Sequence, residues 1–347
     1  MEKVLSVIQK CVRTGLFGLM IPVVTFAVSS VRAKDAGFIL PINCKIGETC
    51  FLQNFADLDR KTPLVVDTIC GAASYNGHKG IDIRVKDITA LQSGIDILAV
   101  ADGVVVGTRN TALDRRVQKP SDRAAVRGRE CGNGVAIRHA NQQVSQLCHL
   151  KRGSVLVKTG DPVKQGQKVG EMGLSGFTTF PHVHLSLSKN KQVLDPLTGK
   201  SAESIACTVN SKVLADTKFG AEITASLIQS SKAVMGLGLA GEPFDLARLV
   251  EGNVPKVPTT KAEATLGWAW LLNVKKGDRI YIKVAREGET FAESLSEPID
   301  RHKATYFYFA GKSRPPKVGA YKVSVQLRRQ GQTVRDKSQT FTVNKPR

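Results

Sequence analysis

No C-x-x-C pair occurs anywhere in the 347 residues, which argues against a zinc site built from thiolates. Past the amino-terminal end, no stretch is long and apolar enough to cross a bilayer, which takes about 20 residues. There is no internal repeat and no low-complexity tract, so the length speaks for about two ordinary domains.

The amino-terminal end carries a pattern of its own. Lys3, Lys10 and Arg13 precede an apolar run from Gly15 to Val28, small residues follow, and Val31-Arg32-Ala33 has the form of a cleavage site. Residues 1–33 are read as an export signal that is removed, with an uncleaved membrane anchor as the alternative. The expected location is outside the cytoplasm, in the periplasm or cell envelope.

Export changes how the cysteines are read. Of the seven, Cys11 falls in the signal segment, which leaves Cys44, Cys50, Cys70, Cys131, Cys148 and Cys207 in an oxidising compartment. Cys131 and Cys148 flank a hairpin pattern, Val135–His139 and Val144–Leu150 about Asn141-Gln142. Antiparallel pairing there sets the two nearly opposite. Cys44 and Cys50 can close a small loop, and Cys70 with Cys207 follows by elimination. Buried free thiols are the alternative.

The formal net charge is +20. The signal segment holds Lys3, Lys10, Arg13 and Arg32 against Glu2, so +17 remains on the mature chain. A strongly basic exported protein is drawn to polyanionic partners, here peptidoglycan-associated polymers or an anionic envelope surface. The basic residues are dispersed and form no nucleic-acid-binding motif, so nucleic acid is not expected as a partner. Oligomeric state is not legible.

Four segments are expected: the signal 1–33, a lead-in 34–65 without clear periodicity, a β-rich domain 66–207 and a second β domain 208–347. In the third, short β-type runs broken by glycine cover Gly80–Val85, Asp96–Val106, Gly134–Arg138, Val163–Gly170 and His182–Ser188. Thr108–Glu130, with seven Lys and Arg against three acidic residues, reads as a solvated basic insertion loop, with a substrate-steering flap as the functional alternative. Beyond 208, Arg279–Val284, Thr305–Phe309, Tyr321–Leu327 and Gln339–Val343 alternate apolar and polar residues between turns, the pattern of a small β-sandwich. That part holds no catalytic constellation. His302 stands alone, and Trp268 with Trp270 reads as core rather than a sugar-stacking platform. A targeting or regulatory role is expected for it. The fold class is therefore mainly β: a compact antiparallel domain followed by a C-terminal sandwich.

Chemistry concentrates in the β-rich domain. His78 and Asp82 are four apart in Gly77-His78-Lys79-Gly80-Ile81-Asp82-Ile83, a spacing that puts both on one face of a strand or a helix. His182 and His184 are two apart, so a strand points both the same way. His149 ends the hairpin in Leu147-Cys148-His149-Leu150. A catalytic zinc takes about three protein ligands and keeps one position open. More than three ligand-type residues are present, which leaves imidazoles over for proton transfer. Each fragment alone is common by chance.

Taken as a set, residues about 66–198 resemble the lysostaphin-type (LytM-like) zinc endopeptidases. The likeness rests on the His78–Asp82 segment, Ala99-Val100-Ala101-Asp102-Gly103, Gly132-Asn133-Gly134-Val135-Ala136-Ile137-Arg138-His139, the His149 segment, Val163–Gly170, Ser175-Gly176, Pro181-His182-Val183-His184-Leu185 and Asp195-Pro196, in that order. The resemblance implies an antiparallel β domain with a groove carrying one Zn2+ per chain. It implies His78, Asp82 and His184 as ligands, and His149 and His182 as catalytic histidines assisting a zinc-bound water. The implied substrate is the peptide cross-link of peptidoglycan. Two departures stand out: Cys148 replaces a residue that is often small, and the basic insertion is longer than usual. Some relatives have lost metal ligands and act as activators of other hydrolases, which is the alternative. The residues do not separate wall peptide from unfolded protein as substrate.

Overall fold

The computed structural model describes residues 37–202, 207 and 217–346. The expected export signal 1–33 lies outside the described residues. Gly37–Arg347 cluster as one compact unit.

The strands in chain order are β1 (Cys50–Asn54), β2 (Gly80–Val85), β3 (Asp96–Leu98), β4 (Gly103–Arg109), β5 (Asn133–Arg138), β6 (Gln143–Leu150), β7 (Pro162–Val163), β8 (Lys168–Glu171), β9 (His182–Lys189) and β10 (Gln192–Leu194). They continue with β11 (Val234–Ala240), β12 (Thr265–Val274), β13 (Arg279–Arg286), β14 (Glu289–Leu295), β15 (Lys303–Lys312), β16 (Gly319–Arg329) and β17 (Gln332–Val343). An eight-stranded sheet runs β1-β2-β9-β6-β5-β4-β7, with β10 on β9, and β3 pairs separately with β8. Every named strand pairing is antiparallel. The chain is mainly β, as expected.

Period-two alternation places the site. On β2, Ile81, Ile83 and Val85 enter one core, as do Val183, Leu185 and Leu187 of β9. Asp82, Arg84, His182 and His184 therefore share the opposite face. The expected hairpin is β5–β6, in which Gly134 pairs with Cys148 and Ile137 with Ser145. Cys131–Cys148, Cys44–Cys50 and Cys70–Cys207 are disulfide-bonded.

The C-terminal strands form a three-stranded sheet β11-β12-β15 and a four-stranded sheet β14-β13-β16-β17. Ile280, Ile282 and Val284 of β13 and Val323 and Val325 of β16 meet Ala269 and Leu271 of β12 in one core. The other face of β12 is buried too. Trp268, Trp270 and Leu272 pack with Phe51 of β1 in a separate cluster. Both tryptophans are core residues.

Two expectations change in detail. The lead-in segment supplies an edge strand of the large sheet. All five residues of β1 are buried, because Leu52 enters the first core while Phe51 faces the tryptophans. Burial on both faces erases the alternation that would have revealed a strand. The insertion Thr108–Glu130 is not a free loop. It contains a helix, Pro120–Ala125, and is laced to the 174–178 segment. Arg115 N–H donates to Leu174 O (3.2 Å), Val117 N–H to Thr178 O (2.8 Å) and Phe177 N–H to Glu130 O (2.7 Å). Arg116 also pairs with Glu251.

Candidate metal centre

Asp82 stands opposite His184, and Arg84 opposite His182, in the β2–β9 register. Gly80 permits this closeness. A Cβ there would collide with Leu185 O and come within 2.9 Å of the His184 ring. His78 lies just before β2 rather than on it, in the chain leaving a turn about Gly77, whose φ is +77°. That turn swings its ring onto the same spot.

Three donor atoms converge. His78 Nε2 is 3.2 Å from Asp82 Oδ1 and 3.1 Å from His184 Nδ1, and His184 Nδ1 is 2.8 Å from Asp82 Oδ1. His78 and Asp82 are each 2% exposed. Ligands about 2.0–2.1 Å from a tetrahedral ion lie about 3.3 Å from one another, so these spacings suit a small cation. The outer contacts point the same way. Phe55 O can only accept, so His78 Nδ1 donates to it (2.7 Å), and in the neutral ring Nε2 then carries the lone pair. Asn54 Nδ2 donates to Asp82 Oδ2 at 2.7 Å, which leaves Oδ1 facing the nitrogens. Lone pairs of two imidazoles and a carboxylate crowded in a buried site repel unless a proton or a cation lies among them. Two nitrogens and one oxygen, with His78 and Asp82 each oriented by a second partner, form a donor set of the kind zinc takes.

The other two histidines flank this trio. His182 Nε2 is 3.6 Å from Asp82 Oδ1. His182 Nδ1 donates to Phe180 O at 2.8 Å, with Thr178 Oγ1 at 3.1 Å. His149 lies 4.6 Å from His182, ring to ring, and donates Nδ1–H to Ser175 O at 2.8 Å. Its φ is +65°, an uncommon conformation for a side chain other than glycine. The disulfide of its neighbour Cys148 and the bond from His149 N–H to Cys131 O (2.9 Å) hold that turn.

Charge follows burial and neighbours. Burial works against the Asp82 carboxylate, but His78 and His182, with hydrogen bonds from His184 and His78, hold its pKa well below the usual range. Burial, reinforced by His182 and His184, pushes His149 well below its ordinary value. His182 is lowered mainly by burial, with Asp82 opposing. Both shifts favour the neutral ring, in which Nε2 is an acceptor.

All five predicted histidine and aspartate positions therefore come together. Others around them carry no sequence signal of their own. Tyr75 lies over His78, 4.4 Å between ring centres. Phe180 stacks on His182. Arg84, fully buried, holds its guanidinium 4.9 Å from the Phe180 ring and 5.1 Å from that of Trp270, and also donates to Lys86 O at 2.9 Å. Burial pulls its pKa down to about 9. His302, 3.2 Å from Asn273 Oδ1, lies among the C-terminal strands and does not join the cluster.

An antiparallel β domain with a His–Asp–His trio and two further histidines beside it has the architecture of a metallopeptidase domain. Residues 76–196 match the model of Peptidase family M23, and this part of the chain is an M23 domain of the LytM-like kind. Among curated relatives, the peptidoglycan DD-endopeptidase ShyC of Vibrio cholerae is 37% identical over 92 residues, 24% of this chain and 21% of that protein. An uncharacterized metalloprotease of Buchnera aphidicola is 30% identical over 128 residues, 37% of this chain and 27% of that protein. The murein hydrolase activator NlpD of Escherichia coli is 32% identical over 133 residues, 38% of this chain and 28% of that protein. The chain thus spans less than a third of the length of each.

Proposed function

We propose that the protein is an exported zinc endopeptidase that hydrolyses amide bonds in the peptide cross-links of peptidoglycan. The observation that carries this reading is the convergence of His78 Nε2, Asp82 Oδ1 and His184 Nδ1 beside the imidazoles of His149 and His182. His78, Asp82 and His184 would hold one zinc ion. Bound there, zinc makes water a better nucleophile at neutral pH and polarises a carbonyl.

The remaining chemistry belongs to the chain. Amide hydrolysis needs a proton taken from the attacking water and a proton given to the leaving nitrogen. Phe180 O and Ser175 O fix the Nδ1–H tautomers of His182 and His149. Each Nε2 is therefore free to take a proton, and once protonated to donate to a developing oxyanion. The wall as substrate is supported by the likeness to a peptidoglycan endopeptidase. Export is supported by the three disulfides, which persist in oxidising compartments.

The likeness to a murein hydrolase activator supports a second reading, in which the chain stimulates another hydrolase. The deciding experiment treats purified sacculi with the zinc-loaded protein alone, beside a chelator control and an added partner amidase. Mass spectrometry then identifies the muropeptides released. Release by the protein alone, abolished by the chelator, supports the enzyme. Release only with the amidase establishes the activator.

A further inference from the structure

The strongest feature outside the trio is a cavity of about 640 Å3 between the basic insertion and the segment carrying Ser175. Arg109, Arg115 and Arg129 line it, with Asp122 as its only acidic residue and Leu113, Ala125 and Val126 supplying apolar wall. Asp122 is already engaged. It pairs with Arg115 at 2.8 Å and accepts from the backbone N–H of Gln118 and Lys119. The cavity therefore keeps a positive excess from Arg109 and Arg129. Arg109 is positioned by a bond from Nη1 to Gly132 O at 3.3 Å.

Its location ties it to the chemistry. Gly176 lines the cavity, and the preceding residue, Ser175, is the one whose carbonyl fixes His149. The two are consecutive residues, about 3.8 Å apart at Cα. An extended peptide advances about 3.3 Å per residue, so a substrate running from the trio past His149 and Ser175 would bring a residue a few positions from the cleaved bond to this cavity.

We propose that this cavity is a subsite for a free carboxylate on the substrate peptide, recognised by Arg109 and Arg129 while the aliphatic part of the same residue packs on Leu113 and Val126. The planar guanidinium fork pairs with a carboxylate through two parallel hydrogen bonds and gains little from a carboxamide. The size suits one or two residues of a peptide. This assignment rests on the endopeptidase reading. The subsite selects peptides whose carboxyl groups are free over peptides in which they are amidated.

The test uses the full zinc-loaded protein and two cross-linked muropeptides that differ only in a free or amidated carboxyl group. The parent is expected to favour the acid roughly tenfold in kcat/KM, through KM, as one charge-assisted contact implies. In the Arg109→Gln/Arg129→Gln variant the ratio collapses to about one. The Arg109→Lys/Arg129→Lys variant, which keeps charge but loses the fork, recovers part of it. A parent that does not distinguish the two substrates, or a double Gln variant that keeps the preference, overturns the subsite. Calorimetric binding of the same pair to the His182→Ala variant reads the preference without turnover. Selective binding with no hydrolysis by the parent would therefore sink the endopeptidase reading and leave the subsite standing.

Discussion

The Phe180 ring lies flat against the His182 imidazole, 4.4 Å between centres and 26° between planes. Phe180 also meets the Arg84 guanidinium, which in turn meets Trp270 of the C-terminal strands. A run of ring and cation contacts thus links the core of the C-terminal strands to a histidine beside the trio. Trp270 thereby brings a C-terminal strand into the packing behind His182. Phe180→Leu keeps most of the apolar volume and removes the flat face, so His182 loses orientation rather than its place in the fold. The expected result is a fall in kcat of about tenfold with KM nearly unchanged, as misplacement of a proton-transfer group predicts. Melting temperature measured alongside should move little. A parallel loss of folding would assign Phe180 to stability alone.

The trio and its flanking histidines divide into two kinds of variant. Asp82→Ala and His184→Ala each remove a donor atom, and the purified proteins should lose bound zinc. His182→Ala leaves all three donors in place, so zinc content should stay near one per chain while turnover falls by about 10²–10⁴. Metal analysis and muropeptide release measured on the same preparations check this. Full zinc occupancy in Asp82→Ala would remove that carboxylate from the ligand set.

Asn54 is a quieter member of the site. Its amide occupies Asp82 Oδ2 at 2.7 Å, which directs the other oxygen at the nitrogens and helps keep the carboxylate charged. Partners of this sort typically carry 10–100-fold of metal affinity. Asn54→Ala should weaken zinc binding by about that factor in a chelator competition, with Asn54→Asp worse because it sets two carboxylates together. Parent-like affinity in Asn54→Ala would show that β2 and β9 alone fix Asp82.

How much of this was legible beforehand depends on what each residue touches. β2 and β9 alternate core and site side chains, so their faces can be read from spacing, whereas the meeting of Asp82 with His182 and His184 is implied only by the family resemblance. The β5–β6 hairpin and its disulfide are local and equally readable. β12 is buried at all ten positions and β1 at all five, so neither shows the alternation that marks a strand with one wet face. The helix Ala221–Ser230 starts from Gly220 with no side-chain cap, so the usual starting signal is missing. Arg84 shares the Asp82 face by the same alternation, but Asn54 and Trp270 reach the site only through tertiary packing between distant segments, which no spacing rule encodes.

His139 offers a pH effect away from the trio. The residue is 6% exposed. Nδ1 donates to Asp102 O at 2.8 Å, so Nε2, 2.8 Å from Ser145 Oγ, accepts the hydroxyl proton. Burial is the largest influence and lowers its pKa. The Asp102 carbonyl opposes that, and the positive charge of Lys218 adds to it. The unfolded chain therefore binds a proton near pH 6.5 while the folded chain still refuses it. Stability should fall as pH drops below about 6.5, by at most about 1.4 kcal/mol per pH unit from this group, and level off below the folded pKa. His139→Gln cannot titrate, so between pH 6.5 and 5 its unfolding free energy should fall less steeply than the parent's. Urea unfolding at half-unit intervals, with both proteins stripped of metal, isolates the difference because the contribution of the trio is common to both. Parallel curves would mean that His139 takes up its proton equally in both states.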